Sequence, residues 1–145
     1  MKRVFAFVVA VLAAYLLAVL MYTQLNLANV VEMGLTVTLA DRVAAALHDL
    51  YGMYLLLALI AIGFAIAFAV THLVLRVVPQ LRFLGYIVAG GLAIYVVDFS
   101  LYKTMGDMHV LAVTRTTVGT LAMCVAGAIG GYVFVRLLPP PATPG

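Results

Sequence analysis

Two charged residues stand inside otherwise apolar runs, and any chemistry in this chain has to begin with them. Asp98 lies in the run from Phe83 to Tyr102, and Arg115 in the run from Val110 to about Val135. An ionisable group within such a run is expensive in hydrocarbon and marks a functional site by default. Asp98 is four residues from the end of its run and Arg115 five residues into the next. On consecutive antiparallel helices both would sit about 6–8 Å below the same boundary, placed to form an ion pair. Tyr95 and Tyr102, at i−3 and i+4 from Asp98, share its helical face and could complete its hydrogen bonds. Thr114, Thr116 and Thr117 crowd around Arg115 in the same way. Two readings compete. In one, Asp98–Arg115 pins the third helix to the fourth and contributes specificity more than stability. In the other, the site binds an anion, a lipid phosphate or a proton. A paired charge is the cheaper state, which favours the first.

A second pair, His72 and Arg76, stands one turn apart near the end of the second apolar run. Long basic side chains there snorkel to the headgroups, with a phosphate contact as the alternative. The inventory for catalysis is otherwise nearly empty. The one cysteine, Cys124, excludes an internal disulfide and a thiolate zinc site. No His/Cys/carboxylate cluster for a metal or cofactor, no His-x-x-x-His, no phosphate-cradling loop and no activated serine is visible. The expectation is that the chain is not an enzyme and needs neither a metal nor another cofactor.

The elements that must position these residues follow from composition. Of 145 residues, 67% are hydrophobic and 9% charged, and the mean hydropathy is +1.23. Soluble domains are about 45–50% apolar and about 25% charged, so the polar surface is too small to cover a water-soluble protein. Lipid permits only helices or closed barrels. Long unbroken apolar runs in place of alternation indicate helices. Four runs are long enough to cross a bilayer: Val4–Tyr22, Tyr51–Leu75, Phe83–Tyr102 and Val110–Val135. The expected fold is all-α, a four-transmembrane-helix bundle over residues 1–138, followed by a disordered proline-rich tail, 139–145.

Charge sets the expected orientation. Lys2, Arg3, Arg76, Arg82 and Arg136 fall on one side with no acidic residue, whereas Arg42 and Lys103 share the other with Glu32, Asp41, Asp49 and Asp107. That places both termini in the cytoplasm and the protein in the inner membrane. Tyr22, Tyr51, Tyr54 and Tyr102 near one boundary, and Tyr86 and Tyr132 near the other, mark the same limits. The net charge of +3 is too scattered along the chain for a nucleic-acid partner.

The outer loop, 23–50, opens its second half with Thr38 and Asp41 at capping-box spacing. Leu39, Val43, Leu47 and Leu50 then fall on one helical stripe opposite Asp41, Arg42, Ala45 and Asp49, predicting an amphipathic helix over about 39–50. Such a helix lies on the membrane surface, docks on a partner or caps the bundle. A faint repeat is also present. At an offset of 80, Val8/Val88, Leu12/Leu92, Ala13/Ala93, Tyr15/Tyr95 and Tyr22/Tyr102 match, and at an offset of 60, Arg76/Arg136 and Pro79/Pro139. Two duplicated helical hairpins would produce this, and so would chance among Leu, Val and Ala.

On the fourth run, Gly119, Met123, Gly127 and Gly131 form one small-residue row and Ala122, Ala126 and Gly130 the next. Such rows let helix backbones approach closely. Two rows on one helix exceed what one neighbour requires, which points to a homo-oligomer or a partner membrane subunit.

Gln80-Leu-Arg-Phe-Leu through Gly90-Gly91-Leu-Ala, then Val97-Asp98, resembles the opening helix of the GtrA-type four-helix membrane proteins. The resemblance implies a role in moving or assembling lipid-linked sugars. It covers about twenty residues, opening the third run here and the chain there, and the family's Asn- and Arg-rich end to its second helix is absent. No functional residue carries over. Two functions remain. The chain is an accessory, assembly or scaffold subunit of a membrane complex, or a small oligomeric transport module for an ion, a lipid-linked group or a hydrophobic molecule. No polar stripe runs the full depth of a span, which favours the first.

Overall fold

The computed structural model describes residues 1–106 and 112–138, and these form helices and turns only. The first helix, α1 (Lys2–Glu32), is 31 residues and therefore about 46 Å long. It outruns the expected end at Tyr22 because no glycine or proline interrupts the chain until Gly34, which takes a positive φ of 86° in the turn. Then α2 (Leu39–Gly52) returns, and a one-residue break at Met53 leads straight into α3 (Tyr54–Val74). A short 3-10 turn, Pro79–Leu81, introduces α4 (Arg82–Thr104). A second 3-10 turn, Ala112–Arg115, precedes α5 (Thr117–Leu137).

Four helices are long and apolar enough to cross a membrane: α1, α3, α4 with its leading 3-10 turn, and α5. Of these, α3 and α4 match the expected runs to within a few residues, and α1 matches at its start but runs ten residues past the expected end. The fourth begins seven residues later than expected. Thr116 stops the helix from extending backwards, because its hydroxyl accepts the Gly119 N–H at 3.1 Å as an N-cap. Val110, where that run is expected to open, and the tail 139–145 lie outside the described residues.

At the centre, α5 packs against both α1 and α4; α3 lies on α4 and more lightly on α1, and α2 lies on α1. Ile60, Phe64, Met123 and Val19 are fully buried. Towards the end where α1 and α4 begin and α3 and α5 finish, here the basic end, Phe68 stacks on Phe134 at 4.4 Å between ring centroids and meets Phe7, Phe64 and Tyr86. Large apolar side chains such as Leu12, Leu16, Ile62, Ile66, Leu92, Val96, Leu121 and Val125 face outward. So extensive an apolar exterior is stable only against lipid or another apolar surface.

The closest approach is between α4 and α5. A methyl group on Gly90 or Gly127 would collide with the other's backbone carbonyl, and one on Gly131 with that of Tyr86. Gly130 faces elsewhere, with Ala14 of α1 and Phe64 of α3 under 3 Å from where its Cβ would be. Both small-residue rows are thus used inside the bundle, because α5 is central and has neighbours on two sides. The tyrosines that most favour a duplication are not equivalent: Tyr15 is buried, and Tyr95 is exposed.

Candidate functional site

Buried polar side chains collect at the end opposite the basic one, here the hairpin end, where α1 turns back into α2. Thr23 of α1 is 1% exposed, and its hydroxyl reaches the Asp49 carboxylate at 2.7 Å and the Val19 carbonyl at 3.0 Å. The Tyr15 hydroxyl donates to the Leu50 carbonyl at 2.6 Å. That carbonyl belongs to the last turn of α2, whose acceptors have no partner within the helix. Arg42 donates to Gln24 at 2.8 Å. These bonds turn the polar and small-residue side of α2 towards α1. Most of the apolar stripe is left outward, with Leu39, Val43 and Leu47 at 78%, 54% and 62% exposure, whereas Leu50, its last member, is half-buried against the core.

The second part of the polar layer lies between α4 and α5. Asp98 is half-buried and accepts a hydrogen bond from Thr114 at 3.0 Å. Thr114, 4% exposed, is presented by the 3-10 turn ahead of α5. Thr120 ties that turn to the helix by donating to the carbonyls of Thr114 and Thr116, at 3.3 and 3.2 Å. The carboxylate therefore stands close to the start of α5, where the helix dipole favours negative charge and the first turn has no acidic residue of its own.

The expected residues are placed unevenly around this centre. Asp98 accepts from a threonine hydroxyl; Arg115, its expected partner, is exposed and stands in the turn ahead of the helix, not one turn within it. Tyr95 points outward and stacks on Phe99 at 6.4 Å. Tyr102 is half-buried, with Lys103 over its ring at 5.2 Å. His72 and Arg76 are both exposed at the end of α3, where a helix C-terminus favours cations. Gly119, Gly127, Gly130 and Gly131 are buried on α5 as packing surfaces.

Sequence reasoning attached Thr114 to Arg115 and missed its bond to Asp98. It also missed the Thr23–Asp49, Tyr15–Leu50 and Arg42–Gln24 contacts. A buried threonine one residue beyond an apolar run, facing a return helix with an aspartate, was the available signal for the first. A further set was overlooked at the basic end, where Arg136 donates to Tyr132 at 3.0 Å and Tyr132 packs edge-on against Phe83.

Chemically, the hairpin end holds two carboxylates, each engaged by a threonine hydroxyl. Among the described residues no group of three or more His, Cys, Asp or Glu side chains could hold a metal. A groove of about 570 Å³ runs between α3 and α4, bordered by Ile62, Ile66, Val70, Leu92 and Val96, with Ser100 and Thr104 at its hairpin end. It opens outward and is almost wholly apolar. Compared with known proteins, the chain matches no family, no curated protein and no solved structure. The partial likeness of the third run to the GtrA-type proteins thus gains no support from these comparisons.

Proposed function

We propose that this chain is a non-enzymatic, multi-pass protein of the inner membrane, with both termini cytoplasmic, that serves as an accessory or assembly subunit of a larger membrane complex. The observation that carries this reading is the distribution of polarity along the bundle axis. Among the described residues the buried threonines, Thr23 on α1 and Thr114 beside Asp98, both lie at the hairpin end. Below them the axis is filled by Ile60, Phe64, Met123 and the Phe68–Tyr86–Phe134 cluster. A hydrated pathway through a single copy would require polar side chains through that depth. What the fold presents instead is lateral: the outward stripe of α2 and the α3–α4 groove, both suited to apolar neighbours. The half-buried Asp98 supports a second reading, a transport module whose path forms between protomers.

Native mass spectrometry after gentle extraction from the native membrane, followed by reconstitution, separates the two. The expected result is a stoichiometric second membrane subunit, and no ion or solute flux above empty liposomes for the purified chain alone. A homo-oligomer that catalyses flux by itself would overturn the accessory reading.

A further inference from the structure

The basic end carries five cationic residues from four parts of the fold: Lys2 and Arg3 on α1, Arg76 after α3, Arg82 opening α4 and Arg136 closing α5. No acidic side chain accompanies them among the described residues. Lys2, Arg3 and Arg82 occupy first turns, where the helix dipole adds to their positive potential and does not offset it. Tyr86, four residues along α4 from Arg82, packs on Phe134 of α5 at 5.1 Å. Arg136 stands two residues further along the same helix as Phe134.

Arg136 is also held in place. Its Nε donates to the Tyr132 hydroxyl at 3.0 Å, and its guanidinium lies 5.5 Å from the centre of that ring. Tyr132 in turn meets Phe83 edge-on at 5.6 Å, which joins α5 to the residue next to Arg82. A guanidinium fixed through Nε keeps its two terminal nitrogens for a planar, bidentate acceptor, the geometry that suits a phosphate. Phe83 and Tyr132 are exposed, at 47% and 37%. They give an acyl chain an apolar wall beneath a headgroup held at Arg136.

We propose that the basic end binds the phosphate headgroup of an anionic phospholipid from the adjoining leaflet, with Arg136 as the oriented contact and Tyr132 and Phe83 as the wall for its acyl chain. The charge complementarity commits this surface to a lipid anion: a zwitterionic headgroup brings its own ammonium into a field with no acidic side chain to receive it. The proposal is independent of the accessory role and holds equally for a transport module.

The test uses the full chain in a nonionic detergent, titrated with phosphatidylglycerol, phosphatidylcholine or inorganic phosphate and read by lipid adducts in native mass spectrometry. Phosphatidylglycerol should be retained at least about tenfold more strongly than phosphatidylcholine, since each cation near an anionic surface adds about fivefold. Arg136→Gln should lower that retention about fivefold, and Tyr132→Phe, which keeps the ring but removes the acceptor of Nε, should lower it less. Arg42→Gln, at the opposite end, should leave it unchanged. Circular dichroism on each variant shows that the helices persist; should Arg136→Gln fail to fold, Arg3→Gln provides the same comparison. Equal retention of the two lipids, or wild-type retention by Arg136→Gln, would overturn the proposal. So would competition by inorganic phosphate at micromolar concentration, which would indicate a site for a free anion.

Discussion

The start of α2 is held by two residues whose spacing alone announces them. Thr38 and Asp41 form a complete capping box: the Asp41 N–H donates to the Thr38 hydroxyl, and the Thr38 N–H and hydroxyl both donate to the Asp41 carboxylate, at 2.9 and 2.7 Å. The Thr38 hydroxyl, and then its N–H, hold the Asp41 pKa below the ordinary 3.8. A carboxylate with a lowered pKa stabilises the folded helix fully above its unfolded value, and that contribution is lost as pH falls through the lower folded value. The first turn of α2 should therefore fray only below about pH 3.8. In Thr38→Ala the Asp41 pKa should return upwards towards 3.8, as followed by NMR titration of its carboxyl carbon; an unchanged value would show that the box does not form in the membrane-bound protein. This motif was readable because its partners are three residues apart. Thr114 was not, because its bond to Asp98 depends on α5 starting at Thr117 and on a turn that no periodicity announces.

For whole elements, the contact between α4 and α5 is decided by backbone and not by side chains. Gly90 and Gly127 leave room for each other's carbonyl and for nothing more. Gly91, the next residue, is looser: its Cβ would stand 3.2 Å from the Cys124 carbonyl and 3.7 Å from Ala128. Gly90→Ala should thus cost at least the 1–3 kcal/mol or so typical of overpacking, since neither backbone can yield without separating the helices. Gly91→Ala should cost visibly less. Thermal or denaturant unfolding of the two variants in one detergent measures the difference, and equal stabilities would mean that the helices do not meet at Gly90. The sequence made both small-residue rows legible, since small residues at every fourth position let helix backbones approach closely. It did not reveal that α5 would lie at the centre, with neighbours for both rows inside the bundle. The amphipathic pattern of α2 was equally plain, but not its orientation. Membrane surroundings let the apolar stripe face out, while Thr23, Gln24 and Tyr15 give its polar side a better partner than water.

The whole molecule has two unlike ends, and the difference bears on how it sits in a membrane. The fold brings the helix termini carrying Lys2, Arg3, Arg76, Arg82 and Arg136 to one end, whereas Glu32, Asp41 and Asp49 belong to the α1–α2 hairpin at the other. Basic residues within 15–20 positions of a span favour the cytoplasmic side, and acidic ones contribute little, so the proposed orientation rests on these five cations. Residue 36 should then lie outside and residue 80 inside; both are exposed in turns, the first between α1 and α2 and the second between α3 and α4. In a chain whose single cysteine is replaced, Cys124→Ala, a new cysteine at each position can be probed with a membrane-impermeant maleimide. Thr36→Cys should react in intact cells, and Gln80→Cys only after the membrane is permeabilised. The reverse pattern would invert the protein. Labelling of both from outside would break the link between helix count and sidedness, since α3 alone separates the two turns once α2 is taken as lying outside the hydrocarbon. The lengths are compatible with that arrangement: α3, α4 and α5, with 21, 23 and 21 residues, each match the hydrocarbon thickness of about 30 Å. Only α1 exceeds it, and its excess carries the hairpin.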